Sequence, residues 1–417
     1  VEANIVIFPE IIIIGAGVGG AAAALQLSRL GRRVLLVERS LWPREKVCGC
    51  CVGAAGVAML HELDVRIEAA LGAVPIEQLR LFAGGQRVTL PIAPGVAISR
   101  GFMDSLLVSR ACASGAVFRP GCIAKVTSRD HAGAWSVRLK DVAHGGHEQT
   151  ITAPLVLVAD GLGGSSLDDL PGFEPDVEPD GHIGVQMTMP LIANGDTPDR
   201  GKSAGIIEMH VGKSGYVGVV RLGDGTDHLA AALSPSAARL AGGIAPAINE
   251  ILGECGVAWR VPPSVKPRGT PLLTRSRRRV SSGGLLVLGD AACYVEPFTG
   301  EGMTWALASA KAACTLAEDF LCHRSAEHQL AEAWQTWHDC ELRERFSSCD
   351  QIRHLCRESR SVAAAISLLR LPGVGSLAGK LIARRVARPY DCPVSKQSPK
   401  KRTREGLQKG WNASVNY

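Results

Sequence analysis

Residues 44–51 read REKVCGCC, three cysteines in four positions directly behind Arg44, Glu45 and Lys46. Thiols at that density can bind zinc, exchange electrons as a C-x-x-C pair of Cys48 and Cys51, donate a proton, or pack as small apolar groups beside glycine. Zinc needs four ligands at tetrahedral spacing, and no second Cys/His pair complements Cys48, Cys50 and Cys51. A redox pair normally opens a helix in a thioredoxin-like βαβ unit, and this stretch is not one. Packing and a functional role for Cys48 both stay open.

A second constellation is Gly15-Ala16-Gly17-Val18-Gly19-Gly20, which supplies G-x-G-x-x-G at Gly15, Gly17 and Gly20. The first glycine permits a tight turn, the second lets a pyrophosphate reach the backbone, and the third lets helix and strand pack closely. Glu38, with Arg39 beside it, lies 18 residues after Gly20, where an acid accepts hydrogen bonds from ribose hydroxyls. The chemistry implied is dinucleotide binding, and NAD and FAD share this fingerprint. Residues 285–306, LLVLGDAACYVEPFTGEGMTWA, separate the two. Asp290 after Gly289 can accept from a polyol, and the turn through Pro297, Gly300 and Gly302 into a helix at Met303 can aim backbone N–H groups at an electron-rich ring edge.

On these residues the chain resembles the FAD-dependent oxidoreductases related to p-hydroxybenzoate hydroxylase, and within them the geranylgeranyl reductase branch. The resemblance covers roughly residues 11–60, 96–168 and 275–315, in the same motif order. It implies that Asp290 binds the ribityl chain of FAD, that Pro297, Gly300 and Gly302 lie beside the isoalloxazine ring, and that Arg100 contacts FAD. Asp160-Gly161 matches the superfamily's Asp-Gly motif, although Leu167 and Asp168 stand where its arginine is usual. Lys46, Cys48 and Gly49 match the branch's Lys-x-Cys-Gly loop on the flavin's substrate side, where Cys48 would touch the ring or donate a proton. The branch's Tyr-x-Trp-x-Phe-Pro signature is replaced by YVGVVR at 216–221.

The resemblance implies a reductase delivering flavin hydride to a double bond of an apolar, isoprenoid-like small molecule, with NAD(P)H as electron donor. A flavin monooxygenase that hydroxylates or epoxidises is the alternative, and a flavin-binding redox sensor using Cys48, Cys50 and Cys51 is the second. Cys293 replaces the histidine that ubiquinone-type hydroxylases carry after Gly-Asp-Ala-Ala, and no Trp-x-Trp-x-Ile-Pro halogenase segment occurs.

The elements needed to position these residues are those of an α/β chain: a Rossmann-like FAD-binding domain of the glutathione reductase/p-hydroxybenzoate hydroxylase type, an inserted antiparallel-sheet substrate domain, and a helical C-terminal part. IIIIGAGVGGAAAALQLSRLGRRVLLVER is a βαβ unit, FMDSLLVSRACA is a helix, and LVLV at 155–158 is a buried parallel strand. Between about 180 and 275 short alternating segments indicate antiparallel strands. The FAD-binding domain is expected in three parts, 1–75, 100–178 and 276–330. Strands at 76–99 and the sheet at 179–275 form the substrate domain, 331–390 is helical, and 391–417 is a basic tail. A pocket is expected between FAD domain and sheet, lined by Met187, Met189, Met209 and Tyr216, or else these four pack in cores.

Composition supports a folded protein: 46% hydrophobic and 21% charged residues over 417 positions. Thirteen cysteines without repeated spacing, and a start (VEANIVIFPE) lacking a leader pattern, point to a reducing, cytoplasmic setting. The net charge of +6 is concentrated in residues 380–410, where ten Lys/Arg face Asp391 and Glu405. That tail is either a solvated terminus or a peripheral contact with an anionic membrane surface, with no specific nucleic-acid recognition implied.

Overall fold

The computed structural model describes residues 8–67, 72–142, 145–189, 205–296, 298, 300–356, 359–375, 377–380 and 390. The basic tail 391–417 and Pro297 therefore lie outside the described residues.

The short apolar runs of the sequence become a six-stranded sheet. Strand β1 (Ile11–Ile14) is its hub, flanked by β2 (Val34–Val37) and then β6 (Val117–Arg119) on one side, and by β10 (Leu155–Val158) and β19 (Leu285–Val287) on the other. These five run parallel, and β18 (Ser281–Ser282) adds an antiparallel edge. IIII, VLLV and LVLV are buried at every position, as expected of parallel strands covered on both faces. Helix α1 (Val18–Arg29) packs against α3 (Arg100–Ala113) and α6 (Gly302–Leu321). Because strand order runs outward in both directions from β1, a crevice opens at the carboxyl ends of β1 and β10.

The second sheet has eight strands. In spatial order they are β16 (Arg268–Leu272), β12 (Ile183–Met189), β15 (Asp227–Leu233), β14 (Gly215–Arg221), β13 (Ile206–Gly212), β4 (Val74–Ala83), β5 (Gln86–Ala97) and β3 (Cys51–Val52). All neighbours are antiparallel except β13 with β4, which pair parallel. Its far face is covered by α4 (Pro235–Leu240) and α5 (Ile244–Glu254): Val185, Met187, Met189, Val217 and Leu229 pack there with Ile248 and Ile251. Met187 and Met189 are thus core residues, and the reading of them as pocket-lining is corrected. The near face carries Met209, Val211 and Tyr216, which pack with Leu162, Leu273 and Phe298 from the cofactor side. Period-two alternation sends Gln186, between the outward Val185 and Met187, to that near face.

Strands β7 (Cys122–Arg129), β8 (Trp135–Asp141) and β9 (Glu148–Ala153) form an antiparallel meander, and β11 (Pro175–Val177), β17 (Arg275–Arg277) and β20 (Cys293–Tyr294) a small third partner sheet. Helix α2 (Ala54–Glu62) packs on α6. Helix α7 (Glu327–Trp337) is pinned to the first sheet by Trp334, whose Nε1 donates to the Val287 carbonyl at 3.2 Å. Helices α8 (Arg343–Cys356) and α9 (Ser359–Leu369) complete the chain, with Val362 and Ile366 of α9 closing over the near face. Among the described residues no helix is long and apolar enough to cross a membrane.

Candidate cofactor and substrate site

The glycine turn sits at the carboxyl end of β1. Gly15 has φ +99°, and a Cβ there would lie 2.4 Å from the Ala159 carbonyl oxygen. A Cβ on Gly20 would lie 1.9 Å from the Gly15 carbonyl oxygen, so the turn and α1 are in backbone contact. Gly17 differs from both. The space that its Cβ would occupy is open, and the nearest groups are the guanidinium ends of Arg44 and Arg100, each at 3.7 Å, and Lys46 Nζ at 4.0 Å. Three cations converge on a bare backbone at a helix start with no acidic residue in the first turn and no side-chain cap. That is an anion cradle.

Glu38 closes one side. Its Oε2 accepts from the Ala16 N–H at 3.1 Å and lies 3.3 Å from Arg44 Nε, while Oε1 accepts from the Ser40 N–H at 3.0 Å. Burial opposes ionisation, yet Arg44 and the two N–H groups hold the carboxyl below its usual range. Arg44 also meets Asp104 at 3.0 Å, and Arg100 grips the same carboxylate at 3.0 and 2.8 Å. Ser99 Oγ caps α3 by accepting from Phe102 N at 3.2 Å, which fixes Arg100 on the first turn. Arg100 is only 5% exposed and Asp104 fully buried.

Lys46 Nζ stands 3.8 Å from Asp290 Oδ2, and burial lowers its pKa. Gly289, at φ +56°, donates its N–H to Ser309 Oγ at 3.2 Å and so sets Asp290 at the end of β19. Gly300 has φ +73°, Gly302 opens α6, and Met303 is buried in the main core. Tyr216 meets Phe298 edge-to-face at 5.1 Å, which places that turn against the near face of the eight-stranded sheet. Arg39 is exposed, donates to the Gly163 carbonyl at 2.9 Å and lines the cavity beside Glu38. A cavity of about 130 Å³ is lined by Gly15, Gly17, Glu38, Arg44, Lys46 and Asp160, among others.

Asp160 accepts from Ser166 N at 3.1 Å through Oδ2, while its buried Oδ1 has no partner among the described residues. Burial pushes its pKa up. A carboxyl raised in the fold favours stability below its unfolded pKa and loses that contribution as pH rises through the folded value. Asp160→Asn is therefore expected to stabilise the FAD-free protein by about 1 kcal/mol at pH 7, an advantage that thermal unfolding should show fading near pH 4.

The cysteine loop lies on the near face of the sheet. Cys48 N donates to Gln186 Oε1 at 3.3 Å, and His228 Nε2 donates to the Cys48 carbonyl at 2.8 Å. Cys50, in the left-handed region at φ +55°, turns its N–H back onto Cys48 Sγ at 3.3 Å, and its own sulfur is 3.3 Å from His228 Nε2. The Cys50 thiol and Arg100 both bond to Cys48 Sγ and bring its pKa down to about 5. The Cys50 thiol is pushed well up by Cys48 and by burial, and burial together with the Cys48 charge takes Cys51 to about 12. Cys50 is also buried among Ile76, Ala97, Val220 and Leu222, with Cys48 and Cys51 packed against that cluster. Among the described residues no group of three or more His, Cys, Asp or Glu is placed to hold a metal ion, and all three cysteines are free thiols.

The residues present fit FAD: a cradle at Gly17 that a Cβ would fill, three cations upon it, and an unpartnered carboxylate oxygen on Asp160. Sequence reasoning missed Arg44, Asp104, Gln186 and His228. Asp104, four residues after Arg100 on a helix, was readable as its partner; the two strand residues carried no local signal.

Residues 9–197 match the FAD binding domain family. Squalene monooxygenase of Rattus norvegicus is 34% identical over 167 residues, 37% of this chain and 29% of that protein. Digeranylgeranylglycerophospholipid reductase 1 of Methanopyrus kandleri is 25% identical over 358 residues, 84% of this chain and 91% of that protein. Among solved structures, a geranylgeranyl bacteriochlorophyll reductase-like protein from Thermoplasma acidophilum superposes with TM-score 0.72 at 15% identity, covering 92% of this chain and 96% of that one. PqsL of P. aeruginosa superposes with TM-score 0.65 at 18% identity, covering 86% and 99%. Fold and site define an FAD-dependent enzyme. Within that class the chain carries an FAD binding domain over residues 9–197, and its fold is like that of the T. acidophilum and P. aeruginosa proteins.

Proposed function

We propose that the protein reduces a carbon–carbon double bond of an apolar, isoprenoid-like small molecule, with NAD(P)H as the electron source. The observation that carries this reading is the seat of the Lys46-Val47-Cys48-Gly49 loop. Its backbone is held from both sides by Gln186 and His228 of the sheet, so it bridges the cofactor cleft to an apolar surface that includes Met209, Val211 and Tyr216. The similarity to the M. kandleri reductase along 91% of that protein supports it.

In this reading Gly17, Arg44, Arg100 and Lys46 hold the pyrophosphate, Glu38 the ribose and Asp290 the ribityl chain. Bound FAD supplies the hydride. Cys48 carries negative charge and Cys50 the neighbouring proton, so the proton taken by the substrate carbon leaves Cys50 by way of Cys48. Arg100 and His228 Nε2 stand beside the two sulfurs left behind.

The alignment with rat squalene monooxygenase favours a second reading, oxygen insertion. One experiment separates them. Dithionite-reduced holoprotein is mixed, without oxygen, with prenylated alkenes including squalene and geranylgeraniol, and products are weighed by mass spectrometry. Gain of two hydrogens per turnover is expected. Absence of that gain, with one heavy-oxygen atom incorporated from labelled dioxygen in the presence of NAD(P)H, would establish the monooxygenase instead.

A further inference from the structure

The geometry points to Cys48 and Cys50 as a peroxide-responsive dithiol, Cys48 being the sulfur oxidised first and Cys50 the thiol that resolves it to a disulfide. This goes beyond the reductase reading and needs no turnover to be seen.

Four contacts make the pair more than neighbouring cysteines. The left-handed turn at Cys50 folds its N–H onto Cys48 Sγ at 3.3 Å. The Cys50 thiol interacts with Cys48 Sγ and favours its charged form. Arg100, held by buried Asp104, donates to the same Cys48 sulfur. His228 Nε2, which carries the hydrogen it donates to the Cys48 carbonyl, also lies 3.3 Å from Cys50 Sγ, where it can stabilise that sulfur as its proton passes to water. The cysteines differ in access: Cys48 is half-buried and Cys50 is 2% exposed. Cys51 is turned away, its Sγ donating to the Gly49 carbonyl at 3.2 Å. Gly49 between them has open space around its Cα, which leaves the loop room to draw the sulfurs together.

The chemistry balances with hydrogen peroxide, the two-electron product of dioxygen, as oxidant. The Cys48 thiolate attacks one peroxide oxygen, forming S–O as O–O breaks and hydroxide leaves. The Cys50 sulfur, its proton passing to water, then attacks the sulfenic sulfur, forming S–S as S–O breaks and water leaves. One thiolate, one thiol and one peroxide become a disulfide, a water and a hydroxide. The thiolate character of Cys48, imposed by Cys50 and Arg100, makes it the first to react.

The test treats the full-length, FAD-loaded protein with one equivalent of hydrogen peroxide at pH 7 and maps the peptide after Lys46, with exposed Cys112 as internal reference. A thiolate fraction more than ~100-fold above that of Cys112, offset by a nucleophilicity lower by ~50-fold, gives an expected advantage of about twofold for Cys48. The wild type and Cys51→Ser should lose two hydrogens in that peptide, reversibly with dithiothreitol. Cys50→Ser should instead trap a dimedone adduct on Cys48. Cys48 reacting no faster than Cys112, or a disulfide formed through Cys51 in place of Cys50, overturns the assignment.

Discussion

Gly17→Ala is expected to yield a folded protein that has lost its flavin. Gly17 lies at φ −75° and ψ −178°, a conformation open to any residue, and its added Cβ would meet no backbone, only the ends of Arg44, Arg100 and Lys46. The apoprotein should keep its circular dichroism and melting temperature. The methyl would stand where a pyrophosphate must approach, breaking one or two charge-assisted hydrogen bonds of about 1.5–3 kcal/mol each, or a loss in FAD affinity of roughly 100-fold. Gly20→Ala should behave in the opposite way. Its Cβ would lie 1.9 Å from the Gly15 carbonyl oxygen, so α1 must shift and stability should fall by about 3 kcal/mol. Fluorescence titration with FAD alongside thermal melts measures both. Near-normal affinity in Gly17→Ala would remove the phosphate from this cradle.

The difference between those two glycines shows what a sequence records. A residue type chosen because nothing larger fits marks its own geometry, so the turn at Gly15 and Gly20, and the acid at the end of β2, were legible. The parallel run of four-residue apolar strands was legible for the same reason, since only covered strands are apolar throughout. Period two also said that Met187 and Met189 share a face, but which face looks at the cofactor is decided by where α5 packs. The parallel pairing of β4 with β13 is equally silent, because neither strand's own pattern names its partner. The surroundings of Cys48 are the extreme case: Gln186 and His228 lie 138 and 180 residues further along, and only the register of β12 and β15 brings them under the loop.

Arg100→Met should show that one side chain serves both ends of this network. The chain Glu38, Arg44, Asp104, Arg100 and Cys48 alternates in charge from the ribose side to the sulfur. Removing Arg100 leaves buried Asp104 with Arg44 alone, at a cost of about 3 kcal/mol. It also strips Cys48 of a cation, although Cys50, the larger cause of its low pKa, stays. The midpoint for alkylation by iodoacetamide should move from about 5 to about 7, which cuts the thiolate fraction at pH 6 by about tenfold. Arg100→Lys, which keeps the charge, should keep the low midpoint. The stability linkage has a definite sign. A thiol depressed in the fold contributes stability that is complete above its unfolded pKa, near 9, and is lost as pH falls through about 5. In Arg100→Met the lower limit moves to about 7, so the variant's deficit in urea unfolding should grow between pH 5 and 7 and level off above. A deficit that is flat across that interval would assign Arg100 to Asp104 alone and leave the acidity of Cys48 to Cys50.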